Sequence, residues 1–183
     1  GEGVVVDKVE ALRWFRLAAD QGHAKAQNSV GYMYDIGEGV AVDKVEALRW
    51  FRLAADQGYA VAQNNVGLMY DNGEGVAVDK VEALRWFRLA ADQGYADAQN
   101  NVGLMYDNGE GVAVDKVEAL RWFRLAADQG YASGQVMVGN AYYVGKGVAE
   151  DKVEALRWYH LAADQGDARA QFNIGYAKVM PRG

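Results

Sequence analysis

The chain has no cysteine, which excludes a disulfide framework and any thiolate metal site and fits a reducing compartment. It has one proline, Pro181, near its last residue, so no helix interior is broken by one. No apolar run approaches the roughly 18 residues that a membrane-crossing helix needs. The opening Gly1-Glu2-Gly3-Val4 carries no basic stretch leading into an apolar run, so no signal peptide is visible, and cytoplasm and periplasm both stay open. Positive charge is scarce: 19 Lys and Arg against 25 Asp and Glu leave a net charge of −6. Residues 79–114 show the balance, with Lys80, Arg85 and Arg88 facing Asp79, Glu82, Asp92, Asp97, Asp107 and Glu110. Such a chain repels phosphate backbones, which argues against nucleic acid and leaves polypeptide surfaces, basic or neutral, as the expected partners.

Against these absences stands one abundance. The stretch DKVEALRWFRLAADQGYA begins at Asp43 and returns unchanged at Asp79, with close copies from Asp7, Asp115 and Asp151. The step is 36 residues, kept by Trp14, Trp50, Trp86, Trp122 and Trp158 and by Gly22, Gly58, Gly94, Gly130 and Gly166. Residues 43–78 and 79–114 differ at one place, Val61 against Asp97. A fixed period between about 20 and 50 residues marks a solenoid or similar array, whose units bury their apolar faces against one another.

Each period holds two helical signals. Asp43 can accept from the free N–H groups of a first turn, and Glu46 can reach back in a capping box. Ala47, Leu48, Phe51, Ala54 and Ala55 then recur at helical spacing, with Trp50 adding bulk, and Gly58 suits a left-handed end. We call this helix B. Helix A follows over about residues 59–71, with Ala62, Val66, Met69 and Tyr70 on one side and Gly67 admitting a close neighbouring backbone. Asn72-Gly73-Glu74-Gly75 ends it. The fold expected is all-α, about ten helices in antiparallel pairs forming a superhelical solenoid, as one domain over 1–183. The chain opens on a helix B and closes on a helix A, about residues 167–179, with no polar capping helix at either end. Head-to-tail self-association is therefore expected as an alternative use of the repeats, unless a longer parent chain covers those ends.

The pattern GEGVAVDKVEALRWFRLAADQG followed by YADAQNNVGLMYDNG resembles the Sel-one-like repeat (SLR), a relative of the tetratricopeptide repeat. The marks are the Gly-x-Gly-Val loop, the Asp before helix B, the Trp-Phe pair, Ala-Ala-x-x-Gly, and Ala-x-x-x-Val-Gly-x-x-Tyr, over nearly the whole chain. It departs from the pattern at Val66, at Gly134, and generally along residues 133–143. The resemblance implies a non-catalytic adaptor, of a kind often bacterial. Some SLR proteins are linked to β-lactam binding or hydrolysis, but no Ser-x-x-Lys motif is present here.

Catalytic constellations are missing too. His23 and His160 replace a Tyr and an Arg of the other copies and share no motif. No His-Glu-x-x-His, phosphate loop or nucleophile elbow occurs. Asp71, Glu74 and Asp79 match no calcium-loop spacing, so neither metal nor cofactor is expected. The Trp stripe reads as packing. Arg49 with Glu46, and Arg52 with Asp56, read as exposed helix pairs.

One position of helix A varies completely, reading Lys25, Val61, Asp97, Ser133 and Arg169, which is expected of an exposed site. On the wheel it shares a face with Asn28, Tyr32 and Asp35; Asn64, Leu68 and Asp71; Asn100, Leu104 and Asp107; Val136, Asn140 and Tyr143; and Phe172 and Tyr176. The resemblance implies that this face lines a concave groove. Asn64 and Asn100 are expected to grip a peptide backbone. Tyr32, Leu104, Tyr143 and Tyr176 are expected to supply apolar anchors, and Asp35, Asp71 and Asp107 to favour a partner rich in Lys or Arg.

Overall fold

A computed structural model describes residues 7–179. Ten helices and no strand occur among these residues. The B helices are α1 (Lys8–Ala19), α3 (Lys44–Asp56), α5 (Lys80–Ala91), α7 (Lys116–Asp128) and α9 (Lys152–Ala163). The A helices are α2 (Ala24–Ile36), α4 (Ala60–Asn72), α6 (Ala96–Asn108), α8 (Ala132–Val144) and α10 (Ala168–Val179). The chain divides into two compact units, Gly1–Ala90 and Ala91–Gly183. In the first, α1 packs on α2, α2 on α3 and α3 on α4. In the second, α6 packs on α7, α7 on α8, α8 on α9 and α9 on α10.

Local chemistry sets the ends. Asp43 accepts from the Glu46 amide at 3.0 Å, and Asp115 accepts from Val117 and Glu118 at 3.0 Å. The carboxylate of Glu46 goes to Arg49 at 3.3 Å, so the cap works from the Asp side. Each described A helix from α2 to α8 ends on a left-handed glycine such as Gly73, φ 73°. The diverged α8 is an unbroken helix with the same caps, from Tyr131 to Gly145.

Packing follows a rule that repeats within each unit. An A-helix glycine leaves a socket for the aromatic ring of the next B helix. A Cβ on Gly67 would lie 2.6 Å from the ring of Phe87, and one on Gly103 would lie 2.5 Å from Phe123. The close neighbour that Gly67 admits is therefore a ring, where the sequence suggested backbone. Ala47, Ala54, Ala62, Val66 and Val102 are fully buried around these sockets.

A second device is polar, and the sequence reading missed it. Gln27, Gln63, Gln99 and Gln135 are buried. Gln27 donates to the Ala19 carbonyl at 3.1 Å, and its own amide oxygen accepts from Gln57 at 2.7 Å. In the second unit Gln99 donates to Ala91, Gln129 donates to Gln99, and Gln165 donates to Gln135. Each buried amide thus ties one helix end to the next, which removes the cost of burying it unpaired. The available signal was the identity of both glutamines in all five copies.

The tryptophans pack as expected in the middle of the chain. Trp86 and Trp122 are buried, with Nε1 donating to Glu82 and Glu118 at 2.8 Å. Trp14 is 59% exposed. Arg52 turns to the second helix of its pair, donating to the Tyr70 hydroxyl and lying 5.4 Å from its ring centroid. Among the described residues no ion pair joins Arg52 to Asp56.

Candidate functional site

The turn after an A helix folds back over the start of the B helix that precedes it. Glycine is required there: a Cβ on Gly75 would lie 2.3 Å from the Lys44 carbonyl oxygen, and one on Gly39 would lie 2.5 Å from that of Lys8. The turn therefore delivers its glutamate to a fixed place. Glu38 meets Lys8 at 2.7 Å, and Glu74 meets Lys44 at 2.7 Å. Lys44 also bonds Asp35 at 2.7 Å. The bond to Asp35, then that to Glu74, raises the Lys44 pKa, so the ammonium is held charged. Beside this triad lies a pocket of about 340 Å³, to which Tyr32, Leu68, Phe51 and Met69 give apolar surface.

The pocket recurs in the second unit two periods later, with about 270 Å³. Asp107, Lys116 and Phe123 stand where Asp35, Lys44 and Phe51 stood, and Lys146 replaces Glu74. Next to it Tyr143, Tyr159, Phe172 and Tyr176 line a further hollow, with ring centroids 6.5 Å apart for Tyr143 and Tyr176.

The structure revises several expected site residues. Asn64, Asn100 and Val136 are buried, at 5%, 7% and 2% exposure, so they cannot grip a peptide as placed. Val136 lies on α8, between α7 and α9, and Asn64 lies on α4, which packs on α3 and takes the Phe87 ring of α5 at Gly67, so the buried arc is wider than the single stripe that the wheel assumed. The carboxylates are also spoken for. Asp35, Asp71 and Asp107 each accept from the lysine nine residues on, Lys44, Lys80 and Lys116, at 2.7 Å. The preference for a basic partner thus loses its support. Glu74 and Asp79 are committed as well, to Lys44 and to the Val81 and Glu82 amides, and no metal-holding cluster occurs among the described residues.

Other residues stay accessible. Tyr32 is 51% exposed, Leu68 37%, Phe172 70% and Tyr176 46%. Leu104, Asn140 and Tyr143 are half-buried. At the variable position Lys25 and Arg169 are exposed, while Val61, Asp97 and Ser133 are half-buried. Asp97 accepts from the Tyr131 hydroxyl at 2.8 Å, and Arg169 donates to Ser133 at 2.8 Å, so part of this column serves packing between pairs. Asn28 accepts from Asn65 at 3.0 Å. His23 caps α2, its Nδ1 accepting from the Ala26 amide at 3.1 Å.

Two tyrosines give the second unit a pH signature. Burial first, then the charge of Tyr143, pushes Tyr159 up to about 12. Burial first, then the bond to Asp97, pushes Tyr131 up to about 12. Both folded values exceed the usual 10, so the folded state holds these protons more tightly. Their contribution is full below pH ~10 and is lost as pH rises through ~12. Stability to denaturant is expected to fall across that window, and Tyr159→Phe to remove one late step from the phenolate absorbance titration.

The helix pairs, their period and this surface define a solenoid repeat protein, and the family follows from direct comparison. The Sel1 repeat profile matches residues 1–23, 24–59, 60–95, 96–131 and 132–167, and the chain belongs to the Sel1 repeat family. Proteins of this family are generally non-catalytic scaffolds for protein interaction. A protective antigen of uropathogenic Escherichia coli strains with an SLR fold is 47% identical, with a TM-score of 0.87 over 90% of this chain. This chain spans 35% of the length of that antigen. A Sel1 repeat protein from Oxalobacter formigenes is 33% identical, with a TM-score of 0.88, over 95% of this chain and 72% of its own. Cysteine-rich protein B of Helicobacter pylori, 20% identical with a TM-score of 0.57 over 71% of this chain and 96% of its own, shares the fold. No protein of curated function matches the chain in sequence.

Proposed function

We propose that the chain is a non-catalytic adaptor that binds a polypeptide segment along its A helices without a cofactor. The observation that carries this is a mismatch in satisfaction. The charged groups around the repeated pocket are mostly paired among themselves, yet Tyr32, Leu68, Phe172 and Tyr176 remain exposed beside it. Exposed aromatic and aliphatic side chains next to pre-formed pockets are the usual anchors of an interface. Family membership supports the class, since Sel1 repeats generally mediate protein interaction.

The test is selection of binders from a displayed random-peptide library, using the intact chain. Enriched peptides are then measured against a variant with Tyr32, Leu68, Leu104 and Tyr143 changed to Ala. Loss of even two of these four anchors is worth about 2–4 kcal/mol, so binding is expected to weaken by at least about tenfold. Failure to enrich any peptide, or equal binding by the two forms, overturns the reading.

A further inference from the structure

The pocket beside Lys44 recurs beside Lys116, but its charge inverts. In the first unit two carboxylates, Asp35 and Glu74, flank one ammonium, Lys44. In the second, two ammonium groups, Lys116 and Lys146, line the pocket with one carboxylate, Asp107. The seating of the turn has not changed. A Cβ on Gly147 would lie 2.2 Å from the Lys116 carbonyl oxygen, as close as Gly75 comes to that of Lys44. Lys146 therefore stands at the position whose first-unit counterpart, Glu74, accepts a hydrogen bond from Lys44.

We propose that this second-unit pocket binds an acidic side chain of a partner polypeptide, an Asp or Glu flanked by small apolar residues. The inference rests on the adaptor reading and names the chemistry of one of its contacts. The first-unit pocket supplies the precedent, because there a glutamate on a Gly-x-Gly-Val turn fills the place. Lys116 spends two donors on Asp107, through its carboxylate and main-chain oxygens, and an ammonium has three. Asn140 adds a neutral donor. Its Oδ1 accepts from Tyr159 at 2.8 Å and Asn173 at 3.1 Å, which leaves Nδ2 with only the weakly accepting Met137 sulfur at 3.9 Å. The walls have also become less polar, with Met137 and Val144 where the first unit has Asn65 and Asn72. Lys152 borders the pocket through the Tyr143 ring, 5.7 Å from its centroid, and pairs with Glu150 at 3.3 Å. A basic segment would meet two like charges here, and an acidic one meets its complement.

The probe is a blocked peptide with the sequence of residues 71–79, Asp-Asn-Gly-Glu-Gly-Val-Ala-Val-Asp, beside the same peptide with its Glu changed to Gln. Titration of the full isotope-labelled chain at millimolar peptide is expected to shift the amides of Lys116 and Lys146 and the Asn140 side chain. The Gln peptide should bind at least fivefold more weakly, and added salt should weaken the Glu peptide more than the Gln peptide. Lys146→Glu restores an internal partner and should abolish the shifts. Arg13→Glu makes the same change of net charge on the exposed side of α1 and should leave them intact. No shifts with the Glu peptide, equal binding of the two peptides, or full competition by equimolar inorganic phosphate overturns the proposal. If library peptides bind the chain but ignore Lys146→Glu, only this inference fails. If none binds, the adaptor reading fails as well.

Discussion

Phe123→Ala should destabilise the second unit by about 3–5 kcal/mol, read as a lowered denaturation midpoint and faster amide exchange in α6 to α8. The ring is 3% exposed and sits in the socket left by Gly103, so its removal opens a cavity that neither helix can close. The converse change is expected to hurt too. Gly103→Ala places a Cβ 2.5 Å from Phe123 Cε1, an overlap that costs about 1–3 kcal/mol. Alanine's better helix propensity returns about 1 kcal/mol of that. The double variant decides whether socket and ring are one unit. In the absence of the ring the new methyl group has room, so the combined loss should fall short of the sum by about 1 kcal/mol or more. Strict additivity would mean that the ring and the glycine are stabilised independently.

Gly147→Ala should cost roughly 2–5 kcal/mol, and Gly145→Ala only about 1–2 kcal/mol, although both residues have left-handed backbone. Their φ values, 69° and 71°, make the conformational strain equal. The surroundings differ. A Cβ on Gly147 would collide with the Lys116 carbonyl oxygen at 2.2 Å, whereas one on Gly145 meets nothing closer than 3.4 Å. The clash is with backbone, which cannot swing aside as a side chain can. Gly147→Ala is therefore expected to lift the turn from the start of α7 and weaken acidic-peptide binding along with stability. Chemical denaturation of the two variants checks the difference, and equal losses would show that the turn does not rest on α7.

How much of this was legible depended on the number of neighbours a residue has. Helix B was read almost completely, because Asp43, Phe51 and Gly58 carry their signals within one helix. Helix A was read in outline and misread in detail. A wheel with one buried stripe puts Asn64 and Asn100 on the open side, but both are buried, and Asn64 lies on a helix flanked by α3 and by the Phe87 ring of α5. Pairing between distant residues was the least visible. Asp35 looked free for a basic partner because Lys44 lies in the next helix. Gln27 looked ordinary because Gln57 lies 30 residues away. The inverted charge at Lys146 stood in the sequence as one changed letter, and it acquired meaning only when the first-unit turn showed what its glutamate touches.

Most of the contacts described above join residues less than one period apart, such as 9, 18 or 30 positions, and the longest, between Asn28 and Asn65, spans 37. A gene that grows or shrinks by whole units therefore preserves nearly every pairing, since each new boundary meets the same neighbours as the old one. Length becomes easy to change in such a lineage. A point change at one turn, such as Glu to Lys, leaves a single lysine without its inherited partner while the copies at Lys8 and Lys44 keep theirs. Copying maintains the frame, and a solitary misprint can open a place for something outside the chain.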